Sequence, residues 1–177
     1  TAINTFRPRL NRAAMLLVST AAILLFAAPK AGAWDETVGD FTVSRERSSY
    51  SYGDVTVSAY NGNDTDITFP TKVTYNGTEY DITAIGSNVL KKFAGVEGTD
   101  IIVTIPEGYT NISGNAFTNC YGLKSITIPS SITKINYNAF ENCKNLADVT
   151  FADSNSNLSF GNNVFLNSWL LSFFKLI

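Results

Sequence analysis

The sequence predicts a β-rich α/β solenoid: a right-handed coil with short strands on one face, short helical turns opposite, and a β cap at the N-terminal end. Two observations carry this. Residues 105–150 contain the same unit twice. Asn115-Ala116-Phe117, Cys120 and Leu123 recur as Asn138-Ala139-Phe140, Cys143 and Leu146, each 23 residues on. A fixed period of this size marks stacked coils. Within the unit the apolar period changes. Ile126-Thr127-Ile128 alternates like a half-buried strand and Pro129 then ends it, having no N–H for a ladder. Ala139, Phe140 and Cys143 are spaced for one helical or 3₁₀ turn, with Asn138 placed as its cap.

One unit cannot bury its apolar edge alone, but stacked units can. The register predicts ladders of Phe117 on Phe140, Leu123 on Leu146 and Cys120 on Cys143, with Asn119 and Asn142 forming a polar ladder that serves backbone groups. All of these are structural positions.

Residues 1–33 read as a secretory signal peptide. Arg7, Arg9 and Arg12 form a basic head, Met15 to Ala28 is almost wholly apolar, and Ala31 and Ala33 supply an Ala-x-Ala cleavage signal. The apolar run is shorter than the roughly 20 residues a membrane span needs. Cleavage after Ala33 would export the chain, secreted or held at the cell surface. It would remove four of the 13 Lys+Arg and none of the 15 Asp+Glu, moving the formal charge from −2 to −6. That balance argues against nucleic acid and anionic membrane as partners.

Residues 34–66 fall outside the repeat. Phe41-Thr42-Val43-Ser44 and Asp54 to Tyr60 alternate as strands, Tyr50 and Tyr52 suggest a third edge, and the stretch reads as the cap that a solenoid end requires. The turn Asn61-Gly62-Asn63-Asp64 invites a calcium reading with Asp66, but lacks EF-hand spacing and its distal Glu. The solenoid occupies residues 67–177. Ile67-Thr68-Phe69-Pro70 opens the first coil. Asn76-Gly77, between alternating flanks, inserts a hairpin. Leu90, Phe93 and Val96 then take the Phe, Cys and Leu places, and four extra residues follow within 97–102. After Phe151 the register continues with two extra residues. Phe160 matches Ile135, Asn163 matches Asn138, and Ser168 stands where Cys143 stands. Three complete coils and an incomplete fourth result. The closing run from Trp169 to Ile177 lacks a polar cap, so a truncated array or an edge that packs on something is expected.

The unit Ile105-Pro106 … Ile112 … Asn115-Ala116-Phe117 … Cys120 … Leu123 … Ile126 resembles the BspA-like (Treponema pallidum type) leucine-rich repeat. The resemblance is strong over 105–150 and partial over about 67–177. It implies a bacterial surface or secreted protein that binds host extracellular proteins or other cells.

Enzyme chemistry finds little support. With no histidine, the commonest general base and metal ligand is missing. No nucleophile elbow, phosphate loop, zinc spacing or cofactor loop occurs, and nothing selects a carboxylate pair. No catalytic residue, metal ligand or cofactor is therefore assigned. Export makes a disulfide between Cys120 and Cys143 conceivable, but both belong to the apolar set and read as buried free thiols.

The expected partner-binding face comprises the outward strand positions Thr104, Ser125, Thr127, Asp148 and Thr150, with Lys124 nearby. Its expected ligand is a protein or glycoprotein on host or neighbouring cells. The alternative is a structural spacer, or a fragment of a longer array with no binding of its own.

Overall fold

Two parallel sheets form the walls of the coil. The computed structural model describes residues 33–47, 52–152, 157–168 and 173–176, all within the second of two compact units, Gly32–Ile177. The signal-peptide reading lies outside the described residues, apart from Ala33, as do Tyr50 and residues 169–172. One wall is five-stranded: β4 (Asp66–Thr68), β8 (Ile101–Thr104), β10 (Leu123–Ile128), β12 (Asp148–Phe151) and β14 (Phe173–Leu176) stack in parallel. The opposite wall stacks β7 (Ala84–Ile85), β9 (Asn111–Ile112), β11 (Lys134–Ile135) and β13 (Ser159–Phe160). Ahead of it, β1 (Trp34–Val38), β2 (Phe41–Arg47) and β3 (Tyr52–Tyr60) pair antiparallel, and β3 joins β7 in parallel.

The repeat register holds in space. Ile126 pairs with Val149 and Thr127 with Thr150, as a 23-residue period requires. Ile135 pairs with both Ile112 and Phe160. Between the walls lies one apolar core, in which Phe117, Phe140, Leu123, Leu146, Cys120 and Cys143 are all buried. Phe140 is sandwiched between rings: 5.1 Å from Phe117 and 5.2 Å from Phe165, with interplanar angles of 4° and 8°. Both cysteines are free. Cys143 Sγ donates to Phe117 O at 3.2 Å, and Ser168 Oγ repeats the bond one coil later to Phe140 O at 2.6 Å.

The helical turns need correction. Among the described residues only Lys91–Phe93 forms a helix, a single 3₁₀ turn. Elsewhere the turn consists of isolated i→i+3 bonds such as Cys143 N to Phe140 O, 3.3 Å. Two physical causes stop a helix. The amides of Phe140 and Asn142 donate across to the next coil, to Val164 O and Leu166 O, each at 2.8 Å. Asn138 and Asn142 also sit at φ 55° and 57°, in the left-handed region. Asn138 is thus a corner residue, not a helix cap. Every non-glycine residue with positive φ among the described residues is asparagine, whose short polar side chain tolerates that region best.

Two further expectations change. Val96 takes the place of Leu123 in sequence, but it is 39% exposed. Gly95 and Gly98, both at φ 75°, turn the chain out of the coil around it. Phe160 pairs as required, yet it is 51% exposed, because no described coil covers its far side. The Asn76-Gly77 hairpin forms as read, joining β5 (Lys72–Tyr75) to β6 (Thr78–Asp81) with positive φ at both turn residues. Trp34 anchors it, stacking on Tyr75 at 4.8 Å.

Candidate binding face

Strand alternation decides what the five-stranded wall shows. Ile67, Val103, Ile126 and Val149 point into the core, so their neighbours point out. In-register pairing turns these neighbours into two rows. Thr68, Thr104, Thr127 and Thr150 face one another across β4, β8, β10 and β12. Asp66, Ile102, Ser125 and Asp148 form the second row. Neighbouring strands lie about 4.8 Å apart, which sets the spacing of the hydroxyls.

Five of the six sequence-derived residues therefore meet on one face: Thr104, Ser125, Thr127, Asp148 and Thr150. Lys124 stands apart. It occupies the irregularity where β10 shifts register against β8. Its ammonium donates to Asp100 at 2.6 Å, and Asn145 Nδ2 donates to the same carboxylate at 3.2 Å. The hydrogen bond from Lys124 holds the Asp100 carboxyl below its usual range, and the same bond raises Lys124. Both groups are exposed, so the pair contributes little to stability. Sequence reasoning missed Asp66, Thr68 and Ile102. The last is 43% exposed and adds an apolar point to the face.

In the 61–64 turn the oxygens that invited a calcium reading are engaged by a side chain. Lys92 Nζ donates to Asn61 O at 3.2 Å, Gly62 O at 2.7 Å and Asn63 Oδ1 at 2.5 Å. A lysine ammonium thus fills the place of a cation. Among the described residues no group of three or more His, Cys, Asp or Glu side chains could hold a metal ion. Nor is any helix among them long and apolar enough to cross a membrane.

Stacked coils with a polar outer sheet define a repeat protein of the solenoid class. The family described as the BspA type leucine-rich repeat region matches residues 59–176, and the chain belongs to that family. It resembles the solved structure of a leucine-rich cell surface protein from Faecalibacterium prausnitzii A2-165, with 32% identity, TM-score 0.53, and 68% of this chain and 33% of that one covered. A leucine-rich repeat protein from Bacteroides capillosus is 26% identical, with TM-score 0.62, 81% of this chain and 98% of that one covered. One from Bacteroides ovatus is 25% identical, with TM-score 0.59, and coverage of 76% and 33%. The chain thus spans about a third of the length of the first and third relatives and nearly all of the second. No curated protein matches it.

Proposed function

We propose that the chain is an exported, non-enzymatic binding module of the bacterial surface. It engages a protein or glycoprotein on host or neighbouring cells through the outer face of the five-stranded wall. One observation carries this reading: the threonine row Thr68, Thr104, Thr127 and Thr150, flanked by Asp66, Ser125 and Asp148, on a backbone fixed by parallel pairing. A rigid array of short hydroxyl side chains loses little rotamer entropy when a partner docks. Similarity to a cell surface protein supports the location, and the Ala-x-Ala signal before Trp34 supplies the export route. The net charge of −6 after cleavage favours neither nucleic acid nor an anionic membrane.

The spacer reading is favoured by a different observation, the one-third coverage of two relatives. Biolayer interferometry separates the two. The purified chain is immobilised and presented with a panel of host extracellular proteins and intact cells. Saturable binding by the chain itself supports the module. Binding confined to longer arrays that contain it supports the spacer.

A further inference from the structure

The other wall has its own feature. On the outward side of the seven-stranded sheet, where the antiparallel cap meets the first parallel rung, lies a groove of about 440 Å³. Gly86 opens it. By hydrogen bonding, Gly86 occupies the place that Ser113 and Asn136 take in the next coils, donating to Val57 O as they donate to Ile85 O and Ile112 O. A Cβ at Gly86 would lie 3.0 Å from Val57 O and 3.2 Å from Thr56 Cγ2, so the backbone itself forms the floor.

The walls are hydroxyls, from Ser44, Thr56, Ser58, Ser87 and Ser113, with the Asp54 carboxylate and the Asn111 amide among them. Three of these hydroxyls spend their protons on backbone carbonyls. Thr56 donates to Asp54 O, Ser58 to Thr42 O and Ser87 to Gly114 O. Their lone pairs are left facing outward, and with Asp54 they make the groove rich in acceptors. A fitting ligand must bring many donors. No Lys or Arg lines the groove, which disfavours phosphate and sulfate esters, and Ala84 is its lone aliphatic residue, which disfavours lipid.

An aromatic ring stands beyond the lining, over the residue that follows Ser113. Tyr137 is 55% exposed, and its ring lies so close over Gly114 that a Cβ there would be 2.6 Å from Cζ. Gly114 follows Ser113 of the groove. Asn136, next to Tyr137, reaches back to Asn111 Oδ1 at 2.7 Å. An amphipathic ring beside a trough of hydrogen-bonding groups suits a ligand with hydroxyl edges and C–H faces.

We propose that this groove binds a short neutral oligosaccharide, with Asp54 and Asn111 holding sugar hydroxyls and Tyr137 stacking on a sugar ring. The site lies on the wall opposite the threonine face and is independent of it. The test is an array of neutral galactose-, mannose-, xylose- and glucose-based oligosaccharides, printed beside sialylated and sulfated ones and probed with the purified chain. Hits are re-measured by calorimetry. At least one neutral oligosaccharide is expected to bind. Asp54→Asn and Tyr137→Ala should each weaken it about tenfold, while Tyr137→Phe and Thr127→Arg leave it unchanged. Absence of any neutral ligand, binding of acidic glycans alone, or equal binding by Asp54→Asn and Tyr137→Ala overturns the proposal.

Discussion

Asn142 Nδ2 donates to Asn119 Oδ1 at 2.8 Å, and Asn167 Nδ2 repeats the bond to Asn142 Oδ1 at 3.0 Å. Each of these asparagines also holds a left-handed backbone angle, between 57° and 62°. One residue type thus does two jobs at each corner, and substitution can separate them. Asn142→Gly keeps the backbone but loses two side-chain bonds, at about 0.5–1.5 kcal/mol each. Asn142→Ala loses the bonds and also strains the left-handed angle, by a further 1–2 kcal/mol or so. Urea unfolding should rank stability as wild type, then Gly, then Ala. Ala equal to Gly would show that the angle carries no cost.

The stacked rings make a sharper case. Phe140 is fully buried between Phe117 and Phe165. Phe140→Ala should cost about 3–5 kcal/mol, measured as a shift in denaturation midpoint. Phe165→Ala should cost less, since Phe165 is only half-buried. A Phe140→Ala midpoint equal to wild type would mean that the coils do not stack in this register.

The thiols predict both reactivity and pH dependence. Burial pushes Cys120 up to about 12, and burial likewise raises Cys143 well above its ordinary 9.0. A thiolate is the reactive form, so native protein should resist iodoacetamide at pH 8, and both cysteines should react after denaturation without reductant. A Cys120–Cys143 crosslink in freshly purified protein would contradict this.

Linkage gives the sign. In the unfolded chain the thiols lose protons above about pH 9, whereas in the fold they stay neutral. The stabilising contribution is therefore complete below pH 9 and declines as pH rises towards 12 for Cys120, by about 1.4 kcal/mol per pH unit for each thiol. Replacement of both by serine should flatten the alkaline limb of the stability curve. A limb of unchanged slope would assign it elsewhere.

The 23-residue period made the five-stranded wall readable, because equal spacing puts Ser125 beside Asp148 and Thr127 beside Thr150. It did not extend to Asp66 and Thr68. The hairpin and the four extra residues stretch the separation between Thr68 and Thr104 to 36, although the two pair in space. The opposite wall escaped notice because its rungs are two residues long, too short to show alternation. Lys134-Ile135 has no period. The left-handed corners were visible only as asparagines, a residue that also caps helices, and the inter-coil hydrogen bonds that decide between the two roles are non-local. β1 was missed too, since Trp34 to Val38 carries a single buried side chain. The groove beside Gly86 depends on β2, β3 and β9 meeting, which no local pattern encodes.

The central claim is that the threonine face binds, and one comparison tests it most directly. Thr127→Arg and Thr150→Arg place a bulky charge at the middle of the face. They should alter folding stability by no more than about 0.5 kcal/mol, yet block close approach of a partner. Ser130 would make a poor control, because Glu107 accepts hydrogen bonds from its amide and hydroxyl, each at 3.0 Å. Thr74→Arg, exposed on the hairpin, serves instead. In an adhesion assay with coated beads and host cells, the account predicts that both strand-face variants lose adhesion while Thr74→Arg keeps it. Normal adhesion by Thr127→Arg and Thr150→Arg, with loss in Thr74→Arg, would contradict it and move binding to the hairpin.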